Sequence, residues 1–130
     1  MARRPGELKL FPKSQSNDLL HWIERGQYFA GIMVRHILLL QPKAGVASSQ
    51  IEEARESLAG LVGEIHGLLD FHWGENFASI ERQDGYAFGF TMDFLDRQAL
   101  DAYGPHPEHQ KAAAKVREAF DRIAVLDFEI

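Results

Sequence analysis

Val34-Arg-His-Ile-Leu-Leu-Leu40, closed by Gln41-Pro42, is an apolar run of strand length. A run this short that ends on proline predicts a buried strand rather than a helix. Both of its faces are apolar, since Val34, Leu38 and Leu40 alternate with Ile37 and Leu39. Each face therefore needs cover. Helices of the same chain supply one cover, and a second copy of the chain is the simplest source of the other. A homodimer through the sheet face is the expectation.

The segments that follow complete the pattern. After the Lys43–Ala47 loop, Ser48 or Ser49 caps a helix, and Ser49-x-x-Glu52 has capping-box spacing. Ile51, Ala54, Leu58, Leu61, Val62 and Ile65 recur at helical spacing and predict a helix that stops at Gly67. Leu69, Phe71 and Trp73 alternate with Asp70 and His72, a second strand ending at Gly74. Asp84-Gly85 marks a turn. Beyond it Tyr86, Phe88, Phe90 and Met92 alternate with Ala87, Gly89 and Thr91, a third strand with large residues on one face. Short helical character over Asp93–Tyr103 breaks at Gly104-Pro105, and His106-Pro107-Glu108 opens another helix running to Phe120. Residues Ile123–Ile130 alternate as a closing strand. The order βαββαβ predicts an α+β, ferredoxin-like domain with an antiparallel sheet, completed by its partner into a dimeric α+β barrel.

Composition narrows the function classes. Among 130 residues, 14 Lys and Arg stand against 19 Asp and Glu, a net charge of -5. That balance argues against nucleic acid as a partner, because phosphate binding needs a basic surface. The absence of cysteine excludes disulfides, thiol catalysis, zinc–thiolate sites and iron–sulfur clusters, and it fits a reducing, cytoplasmic setting. No apolar run reaches the ~20 residues of a membrane span, and no secretory signal is expected, because the Arg3-Arg4 pair is not followed by a hydrophobic stretch and a small-residue cleavage site. The charge is uneven: residues 1–32 carry five basic and three acidic groups, so the acidity lies in 33–130. Residues 1–32 read as an arm or a start-site extension, with a short helix capped by Asn17 or Asp18 and ending near Gly26. Residues 33–130 read as the domain.

Several stretches taken in order carry a family likeness. They are Val34–Leu40, Gly67-Leu-Leu-Asp-Phe-His-Trp-Gly74, Tyr86-Ala-Phe-Gly-Phe90, Tyr103 with His106-Pro-Glu-His109, and Val125-Leu-Asp-Phe128. Together they resemble the stress-responsive A/B barrel (Dabb) family over residues 34–129. The resemblance implies a dimeric ferredoxin-like barrel. In a branch of that family that closes polyketide chains by aldol condensation, active-site positions match His36, Tyr103 and His109. Phe88 stands where that branch has a further histidine, and Ile65-His66-Gly67 stands where Ile-Pro-Gly is common.

Two function classes follow. The first is a stress-related homodimer with an apolar small-molecule pocket, for which Phe71, Trp73, Phe88 and Phe90 are candidate lining residues; an aromatic stripe at strand spacing equally suits a core. The second is a cofactor-free enzyme acting on a carbonyl compound, with His36, Tyr103 and His109 as candidate catalytic residues. Histidine suits proton transfer near neutrality, and a tyrosine hydroxyl can donate to a developing oxyanion. The competing reading makes His36 a satisfied core histidine and assigns His106 and His109 to a helix start. No metal is expected, because His66, His72, His106 and His109 lack the His-x-x-x-His pairing of zinc helices. No cofactor fingerprint is present.

Overall fold

The computed structural model describes residues 32–130, so the expectations for the preceding arm, its short helix included, lie outside the described residues. The elements are β1 (Val34–Pro42), α1 (Ser48–Ala59), β2 (Leu68–Glu75), α2 (Ile80–Gln83), β3 (Phe88–Phe94), α3 (Arg97–Tyr103), α4 (Pro107–Ala119) and β4 (Phe120–Glu129). The strands form one sheet in the order β2-β3-β1-β4, with every neighbouring pair antiparallel. Helices α1 and α4 pack on each other and on one face of that sheet. This is the ferredoxin-like α+β arrangement that the order of apolar segments predicts.

Strand parity decides which residues meet the helices. In β1 they are Val34, His36, Leu38 and Leu40, whose β3 partners are Phe94, Met92, Phe90 and Phe88. Phe94, Leu40, Leu68 and Met92 are the largest side chains enclosed completely. From the helices, Ala54, Leu58, Ala112 and Val116 fill the opposite side of this core. The other face of β1 carries Ile37 and Leu39, and Leu39 is 42% exposed. Within this chain that face has no helical layer.

The structure redraws several boundaries. The first helix stops at Ala59 rather than continuing to Ile65, because glycine occupies position 60 and Gly63 sits at φ +90. Leu61 and Ile65 are nonetheless buried, so their apolar spacing marks contact with the core through turns. At its start Gln50, not a serine, provides the cap: its Oε1 accepts the Ala47 N–H at 3.2 Å. The third strand extends through Asp93 and Phe94, and α3 begins only after Asp96, whose carboxylate accepts the Ala99 N–H at 2.8 Å. The long connection after β2 contains α2, closed by Asp84 in the left-handed region. Among the described residues, no helix is long and apolar enough to cross a membrane.

Gly67 gives a direct test of the turn that delivers β2. Its φ is +85, and a Cβ there would lie 2.5 Å from the Ala99 Cβ. Gly67→Ala combines a left-handed backbone with overpacking against α3. It is expected to cost roughly 2–5 kcal/mol in urea unfolding.

Candidate functional site

Three elements bring the site together. His36 comes from β1 on the helix-facing side, Tyr103 is the last residue of α3, and His109 lies in the first turn of α4. Helix α4 starts where it does because Pro107 occupies the first helical turn and His106 caps it, its Nδ1 accepting the Glu108 N–H at 3.1 Å. His106 is therefore committed to the cap. His109, one turn on, is turned back toward α3.

The rings form a continuous chain. The Tyr103 and His109 ring centres are 4.0 Å apart, and those of His36 and Tyr103 are 6.1 Å apart in an edge-on arrangement. Phe90 and Phe94 also meet His36 edge-on, at 6.3 and 6.1 Å. The structure thus brings all three sequence-predicted catalytic candidates to one place.

Each imidazole is held through its Nδ1. His109 Nδ1 lies 2.8 Å from the Gly104 carbonyl oxygen. A carbonyl only accepts, so in the neutral ring the proton sits on Nδ1 and the lone pair on Nε2. His36 Nδ1 donates in the same way to the carboxylate of Asp127. A carboxylate placed there fixes the tautomer, orients the ring and stabilises an imidazolium when one forms. Asp127 stands opposite His36 in the β1–β4 register. It is a site residue that spacing along the chain did not single out. The signal that finds it is pairing: an acidic residue that the sheet order sets opposite a strand histidine.

Tyr103 is buried, and burial pushes its phenol well above the ordinary range, so it stays protonated as a neutral donor. Among the described residues no hydrogen bond engages its hydroxyl, and none of them leaves a fully enclosed side-chain polar atom without a partner. The phenol is therefore held as a donor whose tip is not sealed in. Its raised pKa gives stability that is complete below about pH 10 and is lost as pH rises further, since the unfolded chain releases the proton first. The slope from this one group approaches ~1.4 kcal/mol per pH unit. The stability difference between wild type and Tyr103→Phe should accordingly be flat to about pH 10 and fall above it. Urea titrations at stepped pH measure this.

The aromatic pocket candidates occupy the neighbouring core. Trp73 stacks on Phe90 at 6.1 Å with 8° between planes, Phe71 lies 5.5 Å from Phe90, and Trp73 lies 5.8 Å from Phe88. They pack mainly on one another and on Phe120, and Phe90 is the one in ring contact with His36. Trp73 and Phe88 also line a hollow of about 430 Å³ with Ile51 and Arg55, and a second hollow, of about 290 Å³, is lined by Asp127 with Val34, Arg97, Leu100, Asp101, Phe128 and Glu129. Among the described residues no group of three His, Asp or Glu is placed to hold a metal ion.

An antiparallel β2-β3-β1-β4 sheet backed by two helices, with a braced imidazole on its first strand, defines a ferredoxin-like α+β protein. The chain belongs to the stress responsive A/B barrel domain (Dabb) family, whose sequence model matches residues 34–130. It is 32% identical over 96 residues to the stress-response A/B barrel domain-containing protein HS1 of Arabidopsis thaliana, covering 74% of this chain and 88% of that protein. It is 23% identical over 95 residues to olivetolic acid cyclase of Cannabis sativa, covering 73% of this chain and 94% of that protein. Among solved structures it resembles a dimeric ferredoxin-like protein of unknown function from Jannaschia sp. CCS1. The TM-score is 0.63 at 31% identity, over 75% of this chain and 99% of that one.

Proposed function

We propose that the chain works as a homodimer in which each copy binds a small, largely apolar carbonyl compound and moves a proton at the carbon next to the carbonyl. The reaction class is an aldol-type cyclisation or an isomerisation, run by the protein's own acid and base groups. One observation carries this reading: two imidazoles, each held through Nδ1, flank a buried protonated phenol in one ring chain. His109 Nε2 takes the proton alpha to the carbonyl, and the Tyr103 hydroxyl donates to the enolate oxygen as charge develops there. His36, backed by Asp127, supplies the second proton-handling group. The likeness to olivetolic acid cyclase supports the reaction class. Phe88, standing where the cyclising branch has a histidine, supports a different substrate.

The homodimer rests on the apolar sheet face without a helical layer and on the dimeric relative. A second reading, ligand binding without turnover, is favoured by the self-packed ring cluster around Phe90, which offers apolar contact and no further polar group. The shift in melting temperature across a library of ketones, aldehydes and polyketide-like compounds tests both. A compound that raises the melting temperature of wild type and is turned over supports the enzyme. A compound that binds equally well to His109→Ala and is left unchanged supports the binding protein, and a library with no shift removes both.

A further inference from the structure

The helix-facing side of the sheet falls into rows across the strands, and the registers fix their members. The row of the site is Phe71, Met92 and His36; the next is Trp73, Phe90 and Leu38; the third is Glu75, Phe88 and Leu40. Successive rows stand two residues apart along the strands, roughly 7 Å. At the third row, beside the start of α1, lies the hollow of about 430 Å³, whose lining includes Ile51, Arg55, Trp73, Glu75 and Phe88. Its volume falls within the ~300–1,000 Å³ of small-molecule pockets. Site and hollow thus lie under one sheet, with the middle row between them.

That middle row is a wall, and Phe90 is its centre. The ring is buried, and it meets His36 edge-on at 6.3 Å on the side of the site. On the other side Trp73 lies against it with 8° between the planes, and Phe71 packs on it at 5.5 Å. Leu38 packs on the same core, and Ala54, Leu58, Ala112 and Val116 close that core from the helices. Phe120 meets both Trp73 and Phe88, at 6.0 and 6.1 Å, and fills the corner beyond them. Among the described residues Phe90 is the one ring in contact both with His36 and with a ring that lines the hollow.

Resting on the proposal that a carbonyl compound is held at Tyr103 and His109, we infer that Phe90 sets the length of that compound. A chain running from the carbonyl toward α1 meets the Phe90 ring one row on, after roughly 7 Å. The substrate class is therefore short-chain carbonyl compounds, and the hollow is room that a longer chain needs and does not reach. Interiors are close-packed, so a ring that fills the passage excludes a chain rather than yielding to it. Truncating the ring joins the two spaces. Valine suits a buried strand position and stays apolar, while it withdraws the ring from between His36 and Trp73.

The test is a series of methyl ketones with ethyl to octyl chains, scored by the rise in melting temperature of the full chain. A rise counts as binding at the site only where Tyr103→Phe abolishes it, because the ketone oxygen takes its hydrogen bond from that hydroxyl. Wild type is expected to respond to the ethyl and propyl ketones and not to the hexyl and octyl ones. Phe90→Val is expected to respond to the octyl ketone, with half-saturation lowered at least about tenfold, the worth of one buried methylene. Phe90→Leu takes its place should the valine variant not fold. A wild type that binds the octyl ketone as well as the ethyl one would overturn the inference, and so would a folded Phe90 variant that keeps the wild-type cut-off. Silence of the whole series, short ketones included, would instead remove the carbonyl reading on which the inference rests.

Discussion

Replacing His109 by alanine is expected to lower kcat/KM for the compound this protein turns over by about 10²–10⁴-fold, the usual contribution of a positioned general base. The fold should survive the change. The Gly104 carbonyl that receives His109 Nδ1 also accepts Gln110 Nε2 at 2.7 Å, so removing the imidazole leaves that acceptor satisfied. His106 keeps the α4 cap, and Pro107 keeps the first turn. A loss of rate with unchanged urea unfolding therefore assigns His109 to chemistry. The companion variant is Asp127→Asn. It preserves shape but weakens the hold on the His36 tautomer and the support for an imidazolium, so it should lower the rate by removing orientation rather than a reacting group. If His109→Ala and wild type react equally fast, the proton is taken elsewhere.

Phe94→Ala is expected to be the most damaging single substitution for stability, about 3–5 kcal/mol in urea unfolding. Phe94 is fully enclosed and pairs with Val34 across β3–β1 and with Leu68 across β3–β2. Its ring lies 5.0 Å from Tyr103 and 6.1 Å from His36. Truncation thus leaves a cavity under the site, and ligand affinity should fall together with stability. Phe77→Ala is the contrast: that ring is fully exposed, and the change should stay within about 0.5 kcal/mol. Equal effects at the two positions would mean that the core is centred elsewhere.

The two variants divide what local sequence reveals from what only the folded sheet reveals. The alternation Phe88, Phe90, Met92 is legible because strand parity is a local rule, and Phe94 extends it by one step. The end of α1 is masked in the sequence, because Leu61 and Ile65 continue the helical spacing while Gly60 and Gly63 end the helix; burial and helicity part company there. Tyr103 and His109 came from a family likeness, and the structure brings them together because one tight connection, Gly104 to His106, links α3 to α4. Asp127 went unselected as a site residue for a physical reason. Its meeting with His36 spans 91 positions of chain and depends on which strand becomes the neighbour of β1. Such pairing is a property of the sheet order, which no local pattern states.

In the neutral state the two site imidazoles share one tautomer, protonated at Nδ1, and present Nε2 as the reactive nitrogen. Long-range proton–nitrogen NMR of the imidazole rings measures this directly, with His36→Gln and His109→Gln used to assign the two spin systems among the six histidines. In the neutral form both rings should show the proton on Nδ1, and Asp127→Asn should disturb His36 while leaving His109 unchanged. Protonation of either ring at Nε2 in the neutral state would contradict the account, because that nitrogen would then have no lone pair with which to take a proton.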